Sequence, residues 1–258
     1  YRVTYHDEFS EWHKLDHDAR GGRPAWGSWV HTFNRLVPPD VYYKDHPEYF
    51  ALRDGKRLPT QLCLSNPDVL KITIQNLRKQ IASNPEAKYW SVSQNDNKQY
   101  CMCDKCRAID EKEGSPSGSI ITFVNKVADE FPNHMISTLA YEYGRKAPLT
   151  VRPRKNINIM LCSIEARRDI PVTEATDPDS KSLVKDFEDW GKIANDIIVW
   201  DYVIQFTNLM SPFPNFQVLQ PNLKFFVDNG VTAMFEQGNG DGGGEFAELR
   251  SYLLSKLL

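Results

Sequence analysis

The sequence predicts an α/β fold, a (β/α)₈ TIM barrel in a single domain over residues 1–258. Three observations predict it. The length is close to the roughly 250 residues typical of one such barrel. Short apolar, β-branched runs alternate with helical patterns, as in successive βα units of a parallel sheet. A doubly wound sheet, the structural rival, needs a glycine-rich phosphate turn after its first strand, and none stands there.

The predicted strands recur along the whole chain, and most are followed by a helical pattern. The clearest helix is NPDVLKITIQNLRKQIAS, where Asn66 caps the helix and Pro67 takes its first position. The expected strands are Tyr1–Tyr5, Ser28–Phe33, Gln61–Leu64, Tyr89–Ser93, Met135–Tyr141, Ile157–Ile164, Ile197–Tyr202 and Val231–Glu236. The expected helices are Pro67–Ser83, Ser117–Phe131, Asp179–Ala194, Asn215–Asn229 and Glu245–Leu258.

Composition and charge exclude several classes of protein. Hydrophobic residues make up 41% and charged residues 25% of the chain, which is ordinary for a globular domain. The formal net charge of −3 offers no basic face for nucleic acid. No apolar run approaches the roughly 20 residues needed to cross a membrane. Because the chain opens on Tyr1 and ends inside an amphipathic run, we expect a domain excised from a longer multidomain protein, with its flanking domains as partners.

Acidic residues follow five consecutive predicted strands. In a TIM barrel the carboxyl ends of the strands form the active site. Hydrolysis of a glycosidic bond needs two carboxyl groups, one to protonate the leaving oxygen and one to attack or to activate water. One such acid alone is more often a solvated loop residue or an arginine partner, so the prediction depends on the whole set. The candidate catalytic residues are Asp96, Glu165, Asp201 and Glu236, and Glu142 follows the fifth strand.

Aromatic and amide side chains stand beside these acids. Flat aromatic faces stack on sugar rings, and amides and hydroxyls can bind sugar hydroxyls. The sequence therefore predicts a glycoside hydrolase acting on an oligosaccharide or glycan, and the alternative is a barrel that binds glycans without cleaving them. The candidate substrate-binding residues are Gln94, Asn95, Tyr141, Tyr143, Trp200, Tyr202 and Gln237.

Four of the five cysteines form a pattern. Cys101, Cys103 and Cys106 make a C-x-C-x₂-C run after the fourth predicted strand, and Cys63 ends the third. Four thiolates at such spacing can bind a structural Zn²⁺. A disulfide in a secreted protein and free thiols are the alternatives. Cys162, inside the sixth predicted strand, is expected to be a core residue.

Several ordered phrases carry a resemblance that covers nearly the whole chain. They include HTFNRLVPPDVYYKDHPEYFAL (His31–Leu52), SVSQNDNKQYCMCDKC, LAYEYGRKAP, MLCSIEARRDIP, VWDYVIQFTNLMSPFPNF and MFEQG. Together they resemble a bacterial family, domain of unknown function 4838, which is grouped with the glycoside hydrolase TIM barrels. The resemblance implies the barrel fold and, by analogy, carbohydrate chemistry that needs no cofactor. We also expect a periplasmic or secreted location, with the signal itself outside this chain.

Residue roles carry over only in part. In one large clan of barrel glycosidases, strand four ends in Asn-Glu and the Glu is the general acid; Asn95-Asp96 is similar, with Asp in place of Glu. The nucleophile of that clan is a Glu on strand seven, where this chain has Asp201. The resemblance therefore implies Asp96 as the acid and Asp201 as the nucleophile or base. Glu165 and Glu236 stay open as the second carboxylate.

Overall fold

The chain adopts a mixed α/β fold in the part that the computed structural model describes, residues 25–239 and 243–257. These residues form two compact units. Residues 25–160 and 193–196 form the N-terminal unit, and residues 161–192 and those from 197 onward form the C-terminal unit. The strand predicted over Tyr1–Tyr5 lies outside the described residues. One domain over residues 1–258 stays a prediction.

Eight strands lie in the described ranges, and they belong to two sheets. The larger sheet has six strands, hydrogen-bonded in the order first, fourth, fifth, sixth, seventh and eighth; the other two strands form a separate sheet. The strands are β1 (Trp26–Ser28), β2 (Phe50–Arg53), β3 (Lys56–Leu62), β4 (Tyr89–Ser91), β5 (Met135–Ala140), β6 (Ile157–Cys162), β7 (Ile197–Tyr202) and β8 (Val231–Gln237).

The helices follow the strands much as the sequence predicts. Asn66 caps the helix after β3, because its side chain accepts hydrogen bonds from the backbone N–H groups of Asp68 and Val69. The predicted bounds of that helix are confirmed. The α-helices are α1 (Phe33–Leu36), α2 (Pro39–Tyr42), α3 (Pro67–Ser83), α4 (Asp104–Glu113), α5 (Ser117–Asp129), α6 (Pro178–Ile193), α7 (Phe216–Asp228) and α8 (Ala247–Leu257), with 3₁₀ turns at Pro47–Tyr49 and Glu142–Gly144.

The predicted closed eight-stranded barrel is wrong for the described residues. Parallel pairing joins β1 to β4, β4 to β5 and β7 to β8, which confirms the parallel sheet itself. Between residues 25 and 257, however, β1 and β8 end the six-stranded sheet and do not pair with each other. The chain is thus an α/β protein with a parallel sheet, and within the described residues the barrel prediction fails at its second and third strands.

The third predicted strand, Gln61–Leu64, is part of an antiparallel hairpin. Residues 61 and 62 end β3, which pairs antiparallel with β2 through the register pair Arg53↔Lys56. Asp54 and Gly55 form the two-residue turn with φ of 48° and 74°. Both central residues thus have positive φ, as a type I′ hairpin turn requires, and Asp-Gly is a preferred sequence for it. This dipeptide is the local reason why the segment turns back and forms no parallel strand.

The second predicted strand, Ser28–Phe33, is displaced toward the N-terminus. Strand β1 ends at Ser28, and Phe33 already begins α1. Between them His31 adopts a left-handed φ of 57°, which ends the extended backbone. The hydroxyl of Thr32 donates to the carbonyl of Ser91 at 2.9 Å and so holds the turn against the end of β4.

Each unit has its own buried core. In the N-terminal unit Trp90 is 1% exposed, and a Cβ added at Gly27 would lie 2.3 Å from its ring, so only glycine fits beneath it. In the C-terminal unit Phe187 on α6 stacks on Phe226 of α7 with ring centroids 4.7 Å apart. All six residues of β6 are buried, as expected of a strand covered on both faces. Among the described residues, no helix combines the length and the apolarity needed to span a membrane.

Candidate functional site

Two of the four predicted catalytic acids are neighbours in the C-terminal unit. Asp201 near the end of β7 and Glu236 near the end of β8 are register partners across a parallel pair. Neighbouring strands lie about 4.8 Å apart, and register partners project from the same face of a sheet. Asp201 and Glu236, hereafter the carboxylate pair, therefore lie side by side.

The two members of the carboxylate pair have different surroundings. Glu236 is 3% exposed, and its Oε2 has no hydrogen-bond partner in the described part of the chain. Burial, and secondarily the charge of Asp201, raises the pKa of Glu236 well above its ordinary value, while Arg168 opposes the shift. Asp201 is half-buried and accepts a short hydrogen bond from the hydroxyl of Ser163. The pair thus consists of one carboxyl biased toward its protonated form and one carboxylate held by a hydroxyl donor.

Arg168 organises the loop that follows β6. Its guanidinium donates to the backbone carbonyls of Ser163 at 2.8 Å and Tyr202 at 2.6 Å, and to that of Ala166. It also lies 5.3 Å from the centroid of the Tyr202 ring. Among the described residues, no salt bridge joins this guanidinium to Glu236 or Asp201. Arg168 therefore places a positive charge near the carboxylate pair without neutralising it by contact.

The aromatic residues predicted to accompany these acids project from the opposite face of the same strands. Successive side chains of a strand alternate between faces. Trp200 packs edge-on against Phe235 at 4.9 Å and lies 6.2 Å from Tyr202, and its Nε1–H donates to Gln237 Oε1 at 2.7 Å. Trp200, Tyr202, Phe235 and Gln237 form one cluster, hereafter the aromatic cluster, away from the carboxylate pair.

Asp96, the predicted acid, lies in the N-terminal unit beyond the end of β4. Its side chain is exposed, and its Oδ1 accepts a hydrogen bond from the hydroxyl of Tyr141 at 3.1 Å. The ring of His31 lies 6.0 Å from that of Tyr141, and Glu142 pairs with Lys98 at 3.6 Å. Glu142 and His31 both have positive φ, a strained conformation for residues other than glycine. Asp96 is therefore hydrogen-bonded to Tyr141, and the His31 ring lies near that same tyrosine.

The side-chain amides of Gln94 and Asn95, which precede Asp96, are buried and donate hydrogen bonds within the protein. The Asn95 Nδ2 group donates to Asn34 Oδ1 and to the carbonyl of Thr60, both at 2.8 Å. The Gln94 Nε2 group donates to the carbonyl of Tyr141 at 3.1 Å, and Gln94 is 0% exposed. These hydrogen bonds give both amides a structural role, and their predicted contact with sugar hydroxyls stays a prediction.

Tyr143 and Glu165, two further predicted site residues, lie in different units. Tyr143 in the N-terminal unit stacks on Tyr100, with ring centroids 4.9 Å apart, and burial raises the pKa of its hydroxyl. Glu165 in the C-terminal unit is half-buried in the turn after β6, two residues beyond Ser163. Tyr143 is therefore half-buried against Tyr100 in its own unit.

The four cysteines of the predicted metal site come together in the N-terminal unit. The Sγ atoms of Cys63, Cys101, Cys103 and Cys106, hereafter the cysteine cluster, all lie within 4.8 Å of one another. No disulfide joins any of the five cysteines of the chain, and Cys162 is buried in β6. The Cys101 and Cys106 thiols lower the pKa of Cys63, while the pKa of Cys101 rises to about 12. The cluster can hold a metal ion.

Two contacts at the candidate sites were not among the sequence-based predictions. Ser163 hydrogen-bonds Asp201, and Ser65 hydrogen-bonds three of the clustered thiols. A serine directly after the β6 strand, in the position where parallel strands deliver polar residues, was the available signal for Ser163. Nothing in the sequence near Ser65 distinguishes it from an ordinary helix-preceding loop residue.

Comparisons with known proteins give one family. A family profile described as Domain of unknown function (DUF4838) matches residues 1–258. The solved structure of a GH138 enzyme targeting pectin rhamnogalacturonan II is similar at 11% identity and a TM-score of 0.29. The match covers 82% of this chain and 38% of that chain, so this chain spans less than half the length of that enzyme. No curated protein matches the chain.

Proposed function

We propose that this chain, which belongs to the DUF4838 family, is a carbohydrate-active domain that hydrolyses glycosidic bonds with its carboxylate pair. One observation carries the proposal. Asp201 and Glu236 are register partners, yet burial raises the pKa of Glu236 whereas the Ser163 hydroxyl binds the Asp201 carboxylate. Two adjacent carboxyl groups in contrasting environments are the arrangement that acid–base chemistry on a glycoside requires.

The two roles follow from the two environments. Glu236, biased toward its protonated form, donates a proton to the leaving glycosidic oxygen. Asp201, oriented by the Ser163 hydroxyl, attacks the anomeric carbon or deprotonates the attacking water. A carboxyl separation of roughly 5–5.5 Å is typical of retaining enzymes and one of roughly 6.5–9.5 Å of inverting enzymes, so the separation of the pair decides between the two roles of Asp201.

The other two predicted acids keep a subordinate place in the proposal. Asp96 is exposed and receives one hydroxyl hydrogen bond, so its described surroundings lack the apolar wall that a general acid requires. Glu165 is half-buried near Ser163. The catalytic roles predicted for Asp96 and Glu165, and the sugar contacts predicted for the aromatic and amide residues, stay predictions.

The proposed substrate is an oligosaccharide or glycan, and the chemistry itself needs no cofactor. A periplasmic or secreted location, and flanking domains that complete the substrate cleft, belong to the same proposal.

The test compares cleavage with binding. The chain is screened against mono- and oligosaccharide substrates and aryl glycosides, together with the Glu236→Gln and Asp201→Asn variants. Loss of the proton donor should reduce the rate on a substrate with a poor leaving group by a factor of about 10²–10⁴, and less on an activated aryl glycoside. Glu188→Gln is the matched control, because Glu188 is an exposed acid on α6 of the same unit.

Two outcomes would contradict the proposal. Wild-type activity retained by both variants on a cleaved substrate would show that the carboxylate pair is not the catalytic pair. Saturable binding of sugars without cleavage across the panel, in a protein that includes its flanking domains, would instead support the glycan-binding alternative.

A further inference from the structure

We infer that the cysteine cluster is a closed tetrathiolate zinc site with a structural role, independent of the carbohydrate chemistry proposed above. The four Sγ atoms lie within 4.8 Å of one another, and those of Cys63 and Cys103 are 3.6 Å apart. A tetrahedral Zn²⁺ with Zn–S bonds of about 2.3 Å separates its sulfurs by about 3.8 Å. The thiols therefore already lie at nearly the spacing that the ion requires.

The ligands come from segments that are far apart in sequence. Cys63 follows the β2–β3 hairpin, Cys101 and Cys103 lie in the loop after β4, and Cys106 lies in the first turn of α4. Cys101, Cys106 and Cys63 are each at most 5% exposed and pack with Ala51 of β2. A zinc ion bound here would therefore tie the hairpin to the start of α4.

Neighbouring groups form hydrogen bonds with the thiols, as is usual for the ligands of a metal site. The backbone N–H of Leu52 donates to Cys101 Sγ at 3.4 Å, and the Met102 N–H donates to the Leu52 carbonyl at 2.9 Å. The Ser65 hydroxyl lies 3.2 Å from Cys106 Sγ and 3.5 Å from the sulfurs of Cys63 and Cys103. Such partners orient metal ligands and stabilise their thiolate charge.

The donor set favours one metal and gives the site a structural role. Four sulfur ligands favour Zn²⁺ and leave no open coordination position for a substrate or water, so the site is structural. Gln61 at the end of β3 donates to the carbonyls of Asn95 at 2.7 Å and Asn97 at 3.1 Å. The zinc ion and Gln61 would therefore fix the same loop, residues 95–106, to the same hairpin.

The experiment measures metal content and thiol accessibility in the whole chain. Protein purified without added metal should contain one Zn per chain by elemental analysis. Cys63→Ser and Cys103→Ser should each lower the zinc content at least several-fold, whereas Cys162→Ser should keep it, because Cys162 lies in β6 outside the cluster. Co²⁺ exchanged into the site should show the visible and thiolate-to-cobalt absorption bands of a tetrathiolate complex.

Alkylation of the wild-type protein keeps the test decisive if a cysteine variant does not fold. Four additional thiols should become reactive after chelation, and limited proteolysis within residues 95–106 should accelerate. Wild-type protein with no bound metal and four reactive thiols would overturn the inference, as would a mass two units low for each cysteine pair. Stoichiometric iron in place of zinc would overturn the assignment of the metal.

Discussion

Asp201 and Glu236 are register partners on neighbouring parallel strands, yet they do not share an environment. The Asp201 carboxylate accepts a hydroxyl hydrogen bond, whereas Glu236 is 3% exposed and has an oxygen without a partner among the described residues. A buried carboxyl group of this kind costs stability when it ionises. The same asymmetry that supports the proposed chemistry therefore makes predictions about stability that need no substrate.

Glu236→Gln should stabilise the protein at high pH and change little at low pH. The pKa of Glu236 is raised above its ordinary 4.5, so the folded protein binds a proton more tightly than the unfolded chain. Stability therefore falls as pH rises from about 4.5 through the folded pKa, and it is constant above that pKa. Glutamine cannot ionise, so the variant should lack this decline and gain about 1–3 kcal/mol at high pH, as expected when a buried unpaired charge is removed.

Thermal unfolding of both proteins across a pH series measures this difference. Each kcal/mol corresponds to a shift of about 2–4 °C in Tm for a chain of roughly this size. A wild-type Tm that runs parallel to that of Glu236→Gln at every pH would contradict the assignment of a raised pKa to Glu236.

Asp201→Asn should make the pKa of Glu236 fall. The negative charge of Asp201 is the second cause of the raised pKa, after burial, and asparagine removes it while keeping an acceptor for the Ser163 hydroxyl. The pH at which stability stops declining should therefore move to a lower value, while burial keeps that value above 4.5. The same pH series of unfolding curves measures the pH at which stability stops declining. If that pH is the same in Asp201→Asn and in wild type, the two carboxyl groups do not interact.

Asp110→Asn should stabilise the N-terminal unit above pH 6. Burial raises the pKa of Asp110 from 3.8 to about 6, against the hydrogen bonds from Ser119. Stability from this group is therefore lost as pH rises between those values, and the loss is at most about 3 kcal/mol at 1.36 kcal/mol per pH unit. The asparagine side chain would keep an oxygen for the Ser119 N–H, which in the wild-type protein donates to Asp110 Oδ1 at 2.9 Å.

The matched control for that substitution lies on the same helix. Asp104→Asn alters an acid whose side chain is 96% exposed and paired with Arg107. Such surface ion pairs contribute little to stability. The free energy of unfolding of this variant should therefore stay within about 1 kcal/mol of wild type at every pH. Equal responses of the two variants would remove burial as the cause of the Asp110 shift.

Sequence patterns predicted the later strands and helices well, because β4 to β8 are apolar runs and amphipathic helices follow β4, β6 and β7. The prediction failed where a short local signal overrides the pattern. Asp54-Gly55 turns the chain back into a hairpin, and the left-handed backbone at His31 ends β1 early. Both features depend on the φ values of single residues, which hydrophobic periodicity does not report.

The candidate site was also predicted only in part. The positions of Asp201 and Glu236 at strand ends follow from the strand boundaries, and the cysteine cluster follows from its spacing. The position of a residue at a strand end does not tell which side chains share a face, because faces are set by the alternation of side chains along each strand. Alternation separates Trp200 from Asp201, although the two are adjacent in sequence.

Trp200→Phe tests this separation. Phenylalanine keeps an aromatic ring against Phe235 but loses the Nε1–H that donates to Gln237 Oε1 at 2.7 Å. Leaving that amide oxygen unpaired should cost about 1–2 kcal/mol of stability. Because the carboxylate pair projects from the other face, the affinity for a substrate bound there should change less than about twofold, measured by calorimetric titration.

Trp190→Phe is the control, since Trp190 is 1% exposed in the core of the same unit and should affect stability alone. A tenfold or greater loss of sugar affinity in Trp200→Phe, with Trp190→Phe unchanged in affinity, would show that the aromatic cluster is the sugar-binding surface.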